Sequence, residues 1–137
     1  MNFAQCSGMS AHESLSRSIL LVDDETRSAL ALARLLRSEG FSVEVLNDGK
    51  SAVERLTCGQ IPDLLVLDLH MPEIDGNTVA KLARQKSPAL PIIMATGYPF
   101  LAQKIADGDE PEIVIKPIDY PCFVGTINRL MKAPVSA

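Results

Sequence analysis

The chain has 137 residues, 47% of them hydrophobic and 22% charged, with a formal net charge of −4. That length suits one domain with a normal buried core, and that balance belongs to a folded chain and not a disordered one. Net negative charge removes the electrostatic basis for direct binding to nucleic acid or an anionic membrane, and no apolar run approaches the roughly 18 residues of a membrane span.

Residues 1–17 are polar, lack periodicity and have no apolar h-region, so they read as a flexible tail without a signal peptide, with His12 a bystander in it. Cys6, Cys58 and Cys122 are odd in number, far apart and without CxxC spacing, which fits a reduced cytoplasmic protein. Ile19-Leu20-Leu21-Val22 is a short run without polar alternation, the pattern of a strand covered on both faces, and it stops at Asp23-Asp24-Glu25. Ala29, Leu32, Ala33 and Leu36 then repeat at helical spacing, with Leu30 and Leu35 assigned to packing. Arg27, Arg34 and Arg37 fall on other faces as a solvated surface, and Gly40 is placed to end the helix.

Phe41, Val43 and Val45 alternate with Ser42 and Glu44, as in an edge strand. Asn47-Asp48-Gly49 turns the chain into a short helix carrying Ala52, Val53 and Leu56, closed near Gly59. Asp63 to Leu67 is the strongest buried-strand run, and it delivers Asp68 before the turn at Met71-Pro72. Gly76-Asn77 opens a helix with Val79, Leu82 and Ala83 inward, ended by Ser87-Pro88. Pro91 to Ala95, with Met94 in the core, ends in Thr96-Gly97. A short fourth helix is expected around Phe100 to Ala106, followed by a solvated acidic connection with Asp107, Asp109, Glu110 and Glu112. Ile113-Val114-Ile115 ends in Lys116-Pro117, and a last helix from about Tyr120 to Met131 turns Phe123, Val124, Ile127, Leu130 and Met131 toward the sheet.

Strands alternating with helices imply an α/β domain with right-handed crossovers and helices on both faces of a parallel sheet. The informative regularity lies in the endings. Four apolar runs finish at Asp23-Asp24, Asp68, Thr96 and Lys116, and open α/β sheets bind their ligands at the carboxyl ends of the strands. One alone of these acids could merely cap a helix; the whole set converging on one edge is hard to explain that way. Three carboxylates in one pocket repel, at about 4 kcal/mol per pair for ~4 Å and an effective dielectric near 20. A divalent cation removes that penalty, and an all-oxygen set without His or Cys favours Mg²⁺. Lys116 supplies a point charge for a phosphate oxygen and Thr96 a hydroxyl donor, while Gly97 lets an oxyanion approach the backbone. These parts neutralise a phosphoryl group in flight toward a carboxylate, with an aspartyl phosphate as product.

Val22-Asp23-Asp24-Glu25, Asp68 with Met71-Pro72 and Gly76, Ala95-Thr96-Gly97 and Lys116-Pro117 together resemble the receiver (CheY-like) domain of two-component response regulators. The resemblance runs from about Ser18 to Met131 and divides the chain into a 1–17 tail, an 18–132 receiver domain and a 133–137 tail. It implies one three-layer doubly wound domain, a five-stranded parallel sheet in the order 2-1-3-4-5 flanked by five helices. Asp24 would bind Mg²⁺ directly and Asp23 largely through water, with Asp68 and the backbone carbonyl of His70 contributing. Asp68 would take the phosphoryl group from a histidine kinase, a histidine phosphotransfer protein or a small phosphodonor. Lys116 would pair with that group, Thr96 would swing in to bind it, and the Lys116-Pro117 peptide would be cis.

His70 either faces the water that hydrolyses the acyl phosphate or is a solvent-facing loop histidine. Many receivers carry an aromatic where this chain has Ile113, so the switch runs through Thr96 alone or through Tyr98 or Phe100, whose other reading is ordinary turn packing. The stretch from Pro91 to Tyr98 also resembles a receiver subgroup that lacks the aromatic. No output domain is expected in the residues after Met131, so the sequence is a stand-alone receiver or a piece of a longer protein, with an unidentified protein target and the question of a homodimer open. The expected role is a phosphoacceptor and not an enzyme. Two rivals stand beside it: a receiver-like interaction module that is not phosphorylated, and a small Mg²⁺-dependent phosphatase with Asp68 as nucleophile. The second lacks the acid/base Asp such enzymes want two residues on, where His70 stands.

Overall fold

The computed structural model describes residues 17–103 and 111–131. The tails and their His12 and Cys6, with Asp107, Asp109 and Glu110 of the acidic connection, lie outside the described residues. Five strands, β1 (Ser18–Val22), β2 (Ser42–Leu46), β3 (Leu64–Asp68), β4 (Ile92–Thr96) and β5 (Glu112–Ile115), form one sheet in the order β2-β1-β3-β4-β5. Every pairing is parallel. Four α-helices accompany them: α1 (Thr26–Ser38), α2 (Gly49–Cys58), α3 (Gly76–Lys86) and α4 (Tyr120–Met131). None of the described helices is long and apolar enough to cross a membrane.

Strand patterns follow burial. Every residue of β3 and β4 is buried, whereas β2 at the sheet edge exposes Ser42 and Glu44. Alternate residues feed two cores, one on each face. Leu20, Val22, Leu65, Leu67, Ile92 and Met94 pack with Ala52 and Leu56 of α2 and Val79, Ala80 and Ala83 of α3. Ile19, Leu21, Leu64, Val66 and Ile93 pack with Ala29, Ala33 and Leu36 of α1 and Phe123, Ile127 and Met131 of α4. A sheet sandwiched this way leaves its central strands open to water only at their ends.

The helix boundaries have local causes. Asp48 caps α2 by accepting from the Ser51 N–H at 2.7 Å, and Asp75 caps α3 from the Thr78 N–H at 3.0 Å. Gly40 adopts φ 103° after α1, so its N–H reaches the Arg37 carbonyl and the Phe41 N–H reaches the Leu36 carbonyl.

Two expectations need correction. Leu30 and Leu35 of α1 are 48% and 46% exposed, because Ala29, Ala33 and Leu36 already fill the stripe that faces the sheet. In place of the start of a fourth helix at Phe100 stands a 3₁₀ turn, Pro99–Leu101, followed by extended Ala102. The Asn77 side chain occupies the Leu101 carbonyl at 3.2 Å and the Gln103 N–H at 2.9 Å, groups a helix would have used itself. Residues 104–106 lie outside the described part. The described flanking set is therefore four α-helices and one 3₁₀ turn, not five helices.

Candidate functional site

Four strand ends meet at one edge. Asp23 follows β1; its N–H bonds the Leu46 carbonyl, and the Asn47 amide donates to its carbonyl at 3.2 Å. One carboxylate oxygen of Asp23 accepts the Glu25 N–H at 2.9 Å, which turns the chain toward α1. Asp68 is the last residue of β3, opposite Ala95 of β4. Carboxylate oxygens of buried Asp23, exposed Asp24 and buried Asp68 all lie within 4.8 Å of one another. Lys116 leaves β5 beside them, its N–H on the Thr96 carbonyl at 3.0 Å, and the Lys116-Pro117 peptide is cis. Its ammonium stands 3.5 Å from Asp23 and 3.4 Å from Asp68. The structure thus gathers Asp23, Asp24, Asp68 and Lys116 into one cluster, with Thr96 buried at the neighbouring strand end.

Burial pushes the Asp68 carboxyl up to about 6; the Asp23 charge adds to that, and Lys116 and the His70 N–H oppose it. Burial alone would lower Lys116, but Asp23 and Asp68 outweigh it and its pKa is raised. One ion pair thus leaves both partners raised, because Asp68 must answer to a like charge as well as to desolvation. A carboxylate held this way is largely ionised at neutral pH yet poorly satisfied. Three oxygen donors at this separation, with no soft ligand among them, fit a hard dication such as Mg²⁺.

The support around Asp68 is close. Gly76 at the start of α3 donates its N–H to the Leu69 carbonyl, and a Cβ there would sit 2.6 Å from the Asp68 carbonyl oxygen and 2.8 Å from Met94 Sδ. His70 is exposed; its N–H lies 3.4 Å from Asp68 Oδ1, and its ring meets Tyr98 edge-on at 5.4 Å. Tyr98 donates its N–H to Thr96 Oγ1 at 2.9 Å. Ile113 is half-buried and packs on the core with α2 and α3. A cleft of about 380 Å³ opens beside the cluster, lined by Asp23, Glu25 and Lys116 together with Leu32, Leu35 and Ile118. Sequence reasoning missed the packing role of Gly76, the Asn47 bond to Asp23 and the Asn77 clamp; only Asn47, next to a strand end, carried a positional signal.

The family model for the response regulator receiver domain matches residues 19–128. The chain belongs to that family. This receiver domain is 34% identical over 116 residues to response regulator MprA of Mycobacterium leprae, covering 83% of this chain and 50% of that one. The receiver domain therefore spans about half the length of the curated MprA relatives it matches. Among solved structures it is similar to a putative response regulator from Chloroflexus aurantiacus (TM-score 0.74, 29% identity, 85% of this chain and 98% of that one). It is also similar to the response regulator protein TrrA of Thermotoga maritima in complex with Mg²⁺–BeF (TM-score 0.74, 29% identity, 83% and 98%).

Proposed function

We propose that this receiver domain, residues 18–132, accepts a phosphoryl group on Asp68 and passes the change to a protein target. One observation carries the reading: a buried carboxylate at a strand end stands among two further carboxylates within 4.8 Å and an ammonium at 3.4 Å. The donor is a phosphohistidine of a sensor kinase or a histidine phosphotransfer protein. An Asp68 oxygen forms the new oxygen–phosphorus bond while the nitrogen–phosphorus bond breaks and its electron pair returns to the imidazole. Lys116 pairs with the phosphoryl oxygens, and Thr96 donates its hydroxyl to one of them. Asp23, Asp24, Asp68 and the His70 carbonyl would hold Mg²⁺, which supplies charge neutralisation between phosphoryl and carboxylate oxygens.

Phosphorylation exchanges the single negative charge of the Asp68 carboxylate for a phosphoryl group carrying about −1.5 to −2 at pH 7 and three acceptor oxygens, enough to bias a two-state loop. The domain acts on its own Asp68 and turns over no separate substrate. Cys58 and Cys122 are free surface thiols, which suits a cytoplasmic setting. The test is intact mass after incubation with acetyl phosphate and Mg²⁺: a gain of one phosphoryl, absent in Asp68→Asn, is expected. No gain in the native chain would leave an interaction module, and turnover of an added phosphomonoester would point to a phosphatase.

A further inference from the structure

We propose that Glu25 makes this site selective for phosphoryl groups carried on an imidazole ring, by accepting a hydrogen bond from the ring's second nitrogen as the ring departs into the cleft beside Lys116. The inference rests on the function proposed above and specifies the leaving group of the donor.

Phosphoryl transfer is in line, so the departing group lies on the far side of phosphorus from the attacking oxygen. Asp68 is buried at the end of β3, and that far side faces outward from the strand ends, where the cleft of about 380 Å³ adjoins Asp23 and Lys116. The cleft has two characters. Leu32, Leu35 and Ile118 give it apolar walls that suit a flat ring, while Asp23, Glu25 and Lys116 supply its charge.

Two of those charges are already engaged. The Lys116 ammonium is shared between Asp23 at 3.5 Å and Asp68 at 3.4 Å, and Asp23 stands in the carboxylate cluster. Glu25 is what remains. Its backbone is fixed on both sides: the N–H bonds Asp23 Oδ1 at 2.9 Å, and the carbonyl accepts the Ala29 N–H at 3.1 Å. Its side chain is exposed and makes no capping bond to α1. Among the described residues no lysine or arginine pairs with it, whereas Glu44 has Arg55 and Glu112 has Arg129. A fixed main chain thus presents an unneutralised acid to the cleft into which the leaving group goes.

That charge bears on which bond breaks readily. When the nitrogen–phosphorus bond of a phosphorylated imidazole breaks, the electron pair returns to that nitrogen. A proton on the other nitrogen makes the departing ring a neutral imidazole and not an anion. A carboxylate accepting from that N–H favours the protonated ring and holds it against the apolar walls. An acyl phosphate departs instead as a carboxylate, which Glu25 repels. One side chain therefore favours one class of donor and opposes the other.

The probes are phosphoimidazole and acetyl phosphate, each given to the native chain and to Glu25→Gln at saturating Mg²⁺, with the labelling rate read by intact mass. Glutamine keeps the length of the side chain and removes its charge, and α1 loses no cap. The ratio of the phosphoimidazole rate to the acetyl phosphate rate is expected to fall about tenfold in E25Q, the equivalent of about one pKa unit from a neighbouring opposite charge. The first rate falls and the second rises. An unchanged or raised ratio would mean that Glu25 serves only the α1 dipole or the metal site, and would overturn the inference. Labelling of the native chain by acetyl phosphate and not by phosphoimidazole would overturn it too and leave the phosphoacceptor reading standing. Absence of labelling by either donor would remove both.

Discussion

Lys116 reaches to 3.4 Å from Asp68, yet the Asp68 carboxyl still stands near 6 and not below its ordinary 3.8. Attraction to the ammonium is outweighed by burial and by the second carboxylate, Asp23, which shares the same cation at 3.5 Å. The folded chain therefore carries strain of an electrostatic kind at the residue proposed to react, and a bound dication relieves it.

Removing that charge is expected to stabilise the cation-free protein. Asp68 has a folded pKa above its unfolded value, so the folded state holds the proton more tightly and stability falls as pH rises from about 3.8 through about 6. Asp68→Asn in chelator at pH 8 should gain on the order of 1–2 kcal/mol, after discounting for the water-facing side of the carboxylate. The gain should vanish below about pH 4, where both states are protonated, and shrink when Mg²⁺ is added at pH 8. Urea denaturation at the two pH values, with and without Mg²⁺, checks it; a destabilised Asp68→Asn at pH 8 would contradict it.

Proton and cation compete for the same oxygens. Mg²⁺ affinity is expected to be level above pH 7 and to fall by about tenfold per pH unit well below the Asp68 pKa, with one proton released per ion bound there. Calorimetric titration at a series of pH values measures both. An affinity unchanged down to pH 5 would remove Asp68 from the ligand set.

How far could the chain be read before folding? The strand ends were legible because Ile19 to Val22, Leu64 to Leu67 and Ile92 to Ala95 are short apolar runs with nothing polar inside them, and each runs directly into Asp23, Asp68 or Thr96. Leu30 and Leu35 misled because they are large and apolar although they fall off the helical repeat, and α1 has room under it for only one stripe, taken by Ala29, Ala33 and Leu36. The turn at Pro99–Leu101 was unreadable for another reason. Its geometry depends on Asn77, 24 residues upstream of Leu101 and 26 upstream of Gln103, and a single amide at that distance leaves no pattern.

Gly76 is expected to tolerate no side chain. A Cβ there falls 2.6 Å from the Asp68 carbonyl and 2.8 Å from Met94 Sδ, so α3 would have to lift from the end of β3. Gly76→Ala should cost about 1–3 kcal/mol, as overpacking does, in spite of the better helix propensity of alanine. Labelling of Asp68 by acetyl phosphate should also slow, because the backbone that aims the carboxylate is displaced. Thermal denaturation and the labelling rate are the measurements, and a stabilised Gly76→Ala would sink the prediction.

Asn77 is 7% exposed and serves two backbone groups at once. Truncation to alanine removes an acceptor from the Gln103 N–H and a donor from the Leu101 carbonyl, and α3 keeps its Asp75 cap throughout. The loss is expected at about 1–3 kcal/mol, the cost of leaving such groups unsatisfied, and at the low end if water replaces the amide. Its location matters more than its size. Hydrogen exchange should quicken at the Gln103 amide, while the amides of β3 and β4 keep their protection, since their partners lie within the sheet. Asn77→Asp separates the two bonds: the carboxylate still accepts from Gln103 but cannot donate to Leu101, so Gln103 should stay protected while the Pro99–Leu101 turn loosens. Equal loosening of Gln103 in both variants would mean that the clamp works by packing and not by hydrogen bonds.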